Sequence, residues 1–211
     1  MTPPATVAPK YPVTLAERLE LGPEPLRFPG SLSDFAELLD TCDYPIEFDT
    51  DHIIAMSIAS DKHEQIVANV LGLLYNIYTG HPNYKRYGSN RHVFSASGPV
   101  AYAPDASVVR GEPDVVEYSP GKTANRNPWL IVEVQSESTR DRDWGDKLRH
   151  YKDMPSVEHI LFIEQDRPIV NHFTRQENGL WVGVEYNALE HIVVIEGHEM
   201  RLMEVYENVL G

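Results

Sequence analysis

The chemical signal in this sequence begins with one acidic residue in apolar surroundings. Glu133 lies within Trp-Leu-Ile-Val-Glu-Val-Gln, residues 129–135, a run typical of a strand buried on both faces. Side chains alternate along a strand, so Ile131, Glu133 and Gln135 share one face. An unpaired carboxylate there costs several kcal/mol of desolvation, so Glu133 needs a metal ion, an arginine or a proton. A structural salt bridge, or a place at an exposed strand end, explains Glu133 equally well when it is taken alone.

A second carboxylate is predicted at the start of another strand. Asp105 follows Pro104 and precedes the strand-like Ala-Ser-Val-Val. Two carboxylates on neighbouring strands, with a backbone carbonyl, make an all-oxygen site suited to Mg²⁺ or Mn²⁺. Such an ion polarises a phosphodiester and lowers the pKa of a bound water. The pair Pro113-Asp114 is a rival for this position, and either aspartate would also serve simply as a turn residue after proline.

A cation is predicted on the element that follows Glu133. Asp143, Lys147 and Tyr151 are spaced at i, i+4 and i+8, which places them on roughly one face of a helix. An ammonium near the metal would orient the attacking water or stabilise the transition state. The alternative is an exposed Asp143–Lys147 pair, which contributes little to stability.

The elements that position these residues are predicted from periodicity, caps and turn residues. The clearest helix starts at Ser60 or Asp61 and ends at His81-Pro82-Asn83. Further helices are predicted at 14–21, 31–39, 140–151 and 202–210, a hairpin at 46–59, and strands at 84–94, 100–109, 129–135, 159–164, 168–175, 180–186 and 192–195, with a loop or extended connection at 111–128. This order predicts an α/β (α+β) fold with a mixed β-sheet flanked by helices.

Length and composition predict one globular domain of a chain in a reducing compartment. The 211 residues divide into an N-terminal arm with short helices at 1–43 and a domain at 44–211. The proline-rich start has no apolar segment of a signal peptide, and no apolar run is long enough to span a bilayer. The single cysteine, Cys42, fits the cytoplasm. Nine histidines show no zinc-ligand spacing.

The charge balance opposes nonspecific binding to polynucleotides. Thirty-two acidic and eighteen basic residues give a net charge of −14, the wrong sign for gripping phosphates over a long surface. A local group of cations would form either a solvated face or the rim of a phosphate-binding cleft. Its members are Lys85, Arg86, Arg91, Lys122, Arg126, Arg140 and Arg142.

Four short motifs follow one another between about Tyr44 and Arg175. They are Pro104-Asp105-Ala-Ser-Val-Val, Val132-Glu133-Val-Gln-Ser-Glu-Ser138-Thr139, Asp143-xxx-Lys147-xxx-Tyr151 and Val157-Glu158. In this order and spacing they resemble the putative restriction endonuclease family of the PD-(D/E)xK nuclease superfamily. His63, near the start of a helix after a hairpin, is similar to that family's layout.

The resemblance implies a restriction endonuclease-like core with a metal-dependent nuclease site. Asp105 and Glu133 would be the ligands of Mg²⁺ or Mn²⁺. The superfamily's common pattern has a lysine two residues after the glutamate, where this chain has Gln135, and the resemblance implies that Lys147 supplies the lysine from the following helix. Lys147, Gln135 and His63 are the implied catalytic residues.

Two functions are therefore expected from the sequence. The first is an endonuclease that hydrolyses DNA with a metal-activated water, without membrane association; a homodimer would supply the two sites needed to cut both strands. The second is a non-catalytic module that keeps the nuclease fold to bind protein or nucleic acid. Asp105, Glu133 and Lys147 favour the first function, while Gln135 and the charge of −14 favour the second.

Overall fold

The helices and strands follow the predicted order closely. The computed structural model describes residues 11–95, 98–136, 140 and 143–210. Its helices are α1 (Leu15–Glu20), α2 (Leu32–Leu38), α3 (Asp61–Tyr78), a π-helical turn (Asp143–Lys147) continuing into α4 (Leu148–Asp153), and α5 (Leu202–Val205). Its strands are β1 (Leu26–Pro29), β2 (Ile46–Asp49), β3 (His52–Ala55), β4 (Tyr84–Gly88), β5 (Val93–Ser95), β6 (Val100–Tyr102), β7 (Ala106–Arg110), β8 (Val115–Ser119), β9 (Lys122–Asn125), β10 (Leu130–Gln135), β11 (His159–Glu164), β12 (Val170–Arg175), β13 (Trp181–Tyr186), β14 (Ile192–Ile195) and β15 (His198–Arg201). Of the sequence motifs, Ser138 and Thr139 lie outside the described residues, as does Arg142 of the cation group.

Hydroxyl side chains fix where the first three helices begin. Thr14 and Ser31 each accept a hydrogen bond from the backbone N–H three residues on, and the acidic residue there bonds back to the cap. Ser60 accepts from the N–H of His63 and so is the cap of α3. These side chains satisfy amide donors that have no partner within the helix, which is why the sequence predicted the three helix starts well.

The strands form two large sheets and one hairpin. The seven-stranded sheet has the order β1-β3-β2-β6-β5-β9-β8, and the six-stranded sheet has the order β13-β12-β11-β10-β7-β4. In the six-stranded sheet β10 and β11 are parallel and the other neighbours antiparallel, so the predicted mixed sheet is confirmed. β14 and β15 form the hairpin. No helix in the described part of the chain is long and apolar enough to cross a membrane.

Several sequence predictions differ from the structure. For two strand-like runs the reason is that a local sequence pattern does not indicate which sheet a strand joins. The runs 84–94 and 100–109 are each divided between the two sheets, and Pro104 accompanies one of these switches because it has no N–H to extend a ladder. The segment 111–128 contains the hairpin β8–β9, which turns at Gly121 with φ 71°. Near the carboxyl terminus, β15 was not predicted, and α5 ends at Val205 rather than at residue 210.

The two faces of β10 pack against different helices. Leu130, Val132 and Val134 belong to the core that α3 covers. Ile131, on the opposite face, packs with Leu148 and Tyr151 of α4. The alternation predicted for this strand is confirmed, and it directs Glu133 towards the helix that follows it in sequence.

We predict that the free energy of unfolding decreases as the pH falls from 6.5 to about 4. Nδ1 of His159 lies 3.0 Å from Nε2 of His172, and both rings are buried. Burial lowers both pKa values, and the neighbouring ring helps to lower the pKa of His172 from its usual 6.5 to about 4. The unfolded chain therefore takes up protons in this range while the folded chain does not, so protonation favours unfolding.

The measurement is the melting temperature of the wild type and of His172→Gln across this pH range. The glutamine amide replaces the polar atom at Nε2 without titrating. We expect the wild type to lose more of its melting temperature on acidification than the variant does. Parallel curves for the two proteins would contradict the assignment to this pair.

Candidate active site

Asp105 and Glu133 come from neighbouring strands to one cavity. The antiparallel register of β7 and β10 pairs Ala106 with Val132, so one step further along the chain Asp105 stands opposite Glu133. The Val134 N–H donates to Asp105 Oδ2 at 2.7 Å, which holds the aspartate against the end of β10. Both acids line a cavity of about 720 Å³. The cavity also reaches Ser89, Asn90, His92 and Ala103, where the chain passes from one sheet to the other.

Lys147 points into the protein beside Glu133. Because β10 and β11 are parallel, the chain between them must cross back over the sheet, and the π-helical turn and α4 make this crossing. Lys147 Nζ lies 2.9 Å from Glu133 Oε1, and only 2% of the lysine side chain is exposed. Lys147 therefore does not lie on an exposed helix face, and the expected return of Lys147 towards the Glu133 strand is observed.

A third carboxylate in this group was missed by the sequence analysis. Glu47 of β2 is buried, and its Oε1 lies 3.1 Å from Lys147 Nζ and accepts from the Ala103 N–H at 3.0 Å. The signal was present, since Glu47 stands between Ile46 and Phe48 as Glu133 stands between apolar neighbours. The two glutamates belong to different sheets, so Lys147 joins the sheets through one ammonium group.

Tyr151 supplies a further donor to the same carboxylate. Its hydroxyl donates to Glu133 Oε1 at 2.5 Å. Burial, the negative charges of Glu133 and Glu47, and the hydrogen bond raise the pKa of Tyr151 well above its usual 10.0. The phenol therefore stays protonated at any physiological pH and acts as a donor, so Glu133 Oε1 accepts from both Tyr151 and Lys147.

His63, which was predicted from its place in the sequence, contacts the other carboxylate. Its Nε2 lies 3.3 Å from Asp105 Oδ2, and its Nδ1 lies 3.5 Å from Glu64 Oε1. Burial lowers the pKa of His63, but the hydrogen bond and charge of Asp105, followed by the charges of Glu64 and Glu133, raise it to a net value above normal. The first turn of α3 thus adds a second contact to the Asp105 oxygen that the Val134 N–H already holds.

Two other residues from the sequence analysis lie apart from this group. Gln135 is buried and accepts a hydrogen bond from Trp144 Nε1 at 3.2 Å, and it is not among the described residues that line the cavity. Asp114, the rival of Asp105, is half-exposed at the start of β8 and pairs with Arg126 at 2.7 Å. Asp105 is therefore the aspartate that faces the cavity.

The donor atoms suit a hard divalent cation. Carboxylate oxygens are the ligands that Mg²⁺ and Mn²⁺ prefer, and both acids bring them to the cavity wall. Oδ2 of Asp105 is engaged by Val134 and His63. Among the described residues, Oδ1 of Asp105 has no hydrogen-bond or ion-pair partner. Asp105 therefore has one oxygen available for a cation, while Glu133 would share its carboxylate between a cation and Lys147.

A second group of metal-ligating atoms is already neutralised. Glu158, His159 and Glu196 bring ligand atoms within 4.8 Å of one another. The guanidinium of Arg110, however, forms ion pairs with both of these glutamates. The Arg110 guanidinium therefore supplies the positive charge that a metal ion would otherwise supply. These residues form a structural network of salt bridges.

Comparisons with known proteins identify the family and the fold of the chain. The family model described as "Uma2: Putative restriction endonuclease" matches residues 32–201. The chain is 29% identical over 139 residues to the "Uncharacterized protein sll1609" of Synechocystis, covering 66% of this chain and 77% of that protein. The crystal structure of a putative nuclease belonging to DUF820 from Anabaena variabilis superposes with a TM-score of 0.69 at 15% identity, over 86% of this chain and 100% of that one. This likeness shows a shared fold and confirms the restriction endonuclease-like core.

We predict that Lys147→Met destabilises the protein by about 3–5 kcal/mol, because it leaves two buried carboxylates without their cation. Adding Glu47→Gln should recover part of this loss, since it removes one of the two buried negative charges. The measurement is urea unfolding of the wild type, both single variants and the double variant. If the two single-variant losses of unfolding free energy sum to the double-variant loss within about 0.5 kcal/mol, the Lys147–Glu47 contact is contradicted. The control is Lys62→Met, which breaks an exposed pair with Asp166 and should cost about 0–1 kcal/mol.

Proposed function

Because the chain belongs to the Uma2 family, described as putative restriction endonucleases, we propose that it is a metal-dependent endonuclease that hydrolyses phosphodiester bonds of DNA. The observation that carries the proposal is the convergence of Asp105, Glu133 and Lys147 on one cavity. Two acids and a lysine match the needs of a reaction in which charge develops on a phosphate. The fold supports the same assignment.

Asp105 and Glu133 would hold Mg²⁺ or Mn²⁺ through their carboxylate oxygens. When bound, such an ion polarises the scissile phosphate and makes a bound water a stronger nucleophile at neutral pH. The two acids stand at the ends of paired strands, so their backbone positions are fixed before any ligand arrives. Fixed positions avoid a reorganisation cost during the reaction.

The remaining side chains hold the acids and the lysine in place. The Val134 N–H and His63 both contact Oδ2 of Asp105, which leaves Oδ1 to turn towards a ligand. Tyr151 donates to Glu133 and keeps that carboxylate oriented. Lys147, anchored by Glu47, presents its ammonium beside Glu133, where it would offset negative charge that grows on the phosphate.

The competing function is a binding module that has kept the nuclease fold. It is favoured by the short contact between Lys147 and Glu133, because an ion pair satisfies the buried carboxylate without a metal. Gln135, at the position where the superfamily's common pattern has lysine, favours it too. The two functions differ in their response to divalent cations and in their chemistry on polynucleotides.

We predict that Mg²⁺ or Mn²⁺ raises the melting temperature. A ligand that binds only the native state at about 100 times its Kd stabilises by about 2.7 kcal/mol, which corresponds to roughly 5–10 °C for a chain of this size. Asp105→Asn should abolish most of the shift. The matched control is Asp114→Asn, which removes an aspartate outside the cavity and should keep the full shift. A shift of equal size in both variants would place the ion elsewhere.

We predict that Glu133→Gln nearly abolishes cleavage while the fold survives. The substitution keeps the side-chain size, and Lys147 keeps Glu47 as its carboxylate partner. The measurement is Mg²⁺-dependent cleavage of plasmid, linear duplex and single-stranded DNA, together with the melting temperature. Glu185→Gln, an exposed position on β13, removes the same charge and should cut normally. Full Mg²⁺-dependent cleavage by Glu133→Gln would show that Glu133 does not hold the ion.

A further inference from the structure

A small set of cations in this acidic chain has no acidic partner. Most of the described lysine and arginine side chains form ion pairs with aspartate or glutamate. Arg18 is an exception but is buried and bonded to carbonyls, and Lys152 and Arg175 lie against Trp181. Within the described ranges, the others are Lys85, Arg86 and Arg91, on β4 and the loop that follows it.

One of these cations, Arg91, lines a groove that leads into the candidate active site, and Arg86 lies close by on β4. A cavity of about 520 Å³ lies between α3, through Val67 and Leu71, and residues 88–91 after β4. We call it the α3–β4 groove. It shares Ser89, Asn90 and Glu64 with the larger cavity that Asp105 and Glu133 line. A ligand lying in the groove would therefore reach the two acids without leaving the protein surface.

Arg91 keeps its charge although its guanidinium is held in place. Its Nε and Nη2 donate to Asn125 Oδ1 at 3.1 and 2.8 Å, and its Nη1 donates to Thr123 Oγ1 at 2.8 Å. These acceptors are neutral, so they fix the side chain without cancelling its charge. A fixed, uncompensated guanidinium is well suited to a phosphate.

Arg86 places a second charge beside the groove, because it shares a face of β4 with Gly88, which lines the groove, and it lies over an exposed aromatic ring. Its Cζ is 5.2 Å from the centre of the Tyr75 ring, and Tyr75 is 60% exposed. Tyr75 lies on α3 one turn beyond Leu71, which lines the groove. From Glu64 to Tyr75 the helix rises about 16 Å, which equals the axial rise of about five base pairs of a duplex at about 3.4 Å each. An exposed tyrosine in such a position is a platform on which a base can stack.

We propose that the α3–β4 groove binds a polynucleotide strand and leads it to the candidate active site. Arg91 and Arg86 contact consecutive parts of the phosphate backbone, and Tyr75 stacks on a base. Glu64, at the junction of the two cavities, repels phosphate, so the backbone follows the Arg91 side of the groove. This inference rests on the proposed function for its substrate class, but strand binding and strand cleavage are measured separately.

The order of these groups favours a strand over other anions. A small anion needs one point of positive charge, whereas here the guanidinium groups of Arg86 and Arg91 lie on β4 and the loop after it, and the Tyr75 ring lies on the neighbouring helix α3. The rest of the surface, with a net charge of −14 over the whole chain, repels a polyanion. Attraction that is limited to one groove would orient the strand along that groove, whereas attraction over the whole surface would bind it in many orientations.

The test is binding of the full chain to a short fluorescent single-stranded DNA, the matching duplex and the RNA of the same sequence. Ca²⁺ replaces Mg²⁺ in the binding buffer, and Kd is measured by anisotropy over a range of salt concentrations. Arg86→Gln and Arg91→Gln should each raise Kd roughly two- to tenfold. Each should also reduce the slope of log Kd against log salt by about 0.7 for a single strand or about 0.9 for a duplex.

Matched variants separate the groove from general charge and from folding. Arg201→Gln removes the same charge but breaks a pair with Glu199, and it should bind as the wild type does. Tyr75→Ala should raise Kd about fivefold or more, while Tyr75→Phe keeps the ring and the affinity. Arg86 makes few contacts, so its variant should keep the wild-type melting temperature. Equal losses for Arg201→Gln and Arg86→Gln, or no binding by the wild type, would overturn the proposal.

The groove and the proposed endonuclease can be refuted independently of each other. A wild type that binds the strand through Arg86 and Arg91 but never cuts it supports the groove and refutes the endonuclease. A wild type that cuts DNA with a KM unchanged in Arg86→Gln and Arg91→Gln supports the endonuclease and refutes the groove. If the groove and the endonuclease are both correct, Arg86→Gln and Arg91→Gln raise KM and leave kcat near the wild-type value. The probe that binds with the lowest Kd shows whether the groove takes single-stranded DNA, duplex DNA or RNA.

Discussion

The buried ammonium of Lys147, held between Glu47 and Glu133, is the interaction on which the rest of the site depends. Each glutamate belongs to a different sheet, so the lysine fixes how the sheets meet beside the cavity. Burying one cation with two carboxylates is favourable only when every partner is in place, because each charge has lost its water. Tyr151 and the Ala103 N–H supply further hydrogen bonds to the two glutamates. The same contacts that stabilise this junction therefore keep Glu133 oriented towards the cavity.

This arrangement explains how an acidic chain can prepare a site for an anionic substrate. Asp105 and Glu133 would repel phosphate, but at the cavity Lys147 offsets part of their charge and a divalent cation would offset more. Elsewhere, most described cations are neutralised by neighbouring acids. Arg86 and Arg91 differ because their partners are neutral oxygens. Positive potential is thus available where the α3–β4 groove opens towards Asp105, even though the total charge is strongly negative.

Much of the fold follows from local signals in the sequence. Hydroxyl caps at Thr14, Ser31 and Ser60 determined where helices begin, and the apolar run at residues 129–135 identified the central strand. The prediction was wrong for the hairpin at β8–β9, whose strands are half-exposed and lack a continuous apolar face. It also treated 84–94 and 100–109 as single runs, because a strand that changes sheets has the same local pattern as one that does not.

For the site, the sequence by itself determined which residue types were unusual: Glu133 in an apolar strand, Asp105 before another, and Lys147 on the segment after β10. Their alternation, spacing and chain order were enough to propose them as a group. Only the tertiary structure decided that Glu47 joins them, that Lys147 points inward, and that Asp105 rather than Asp114 faces the cavity. The physical reason is that these choices depend on the packing of two sheets from distant parts of the chain. The side-chain period of a strand says which face a residue occupies, but not what lies opposite that face.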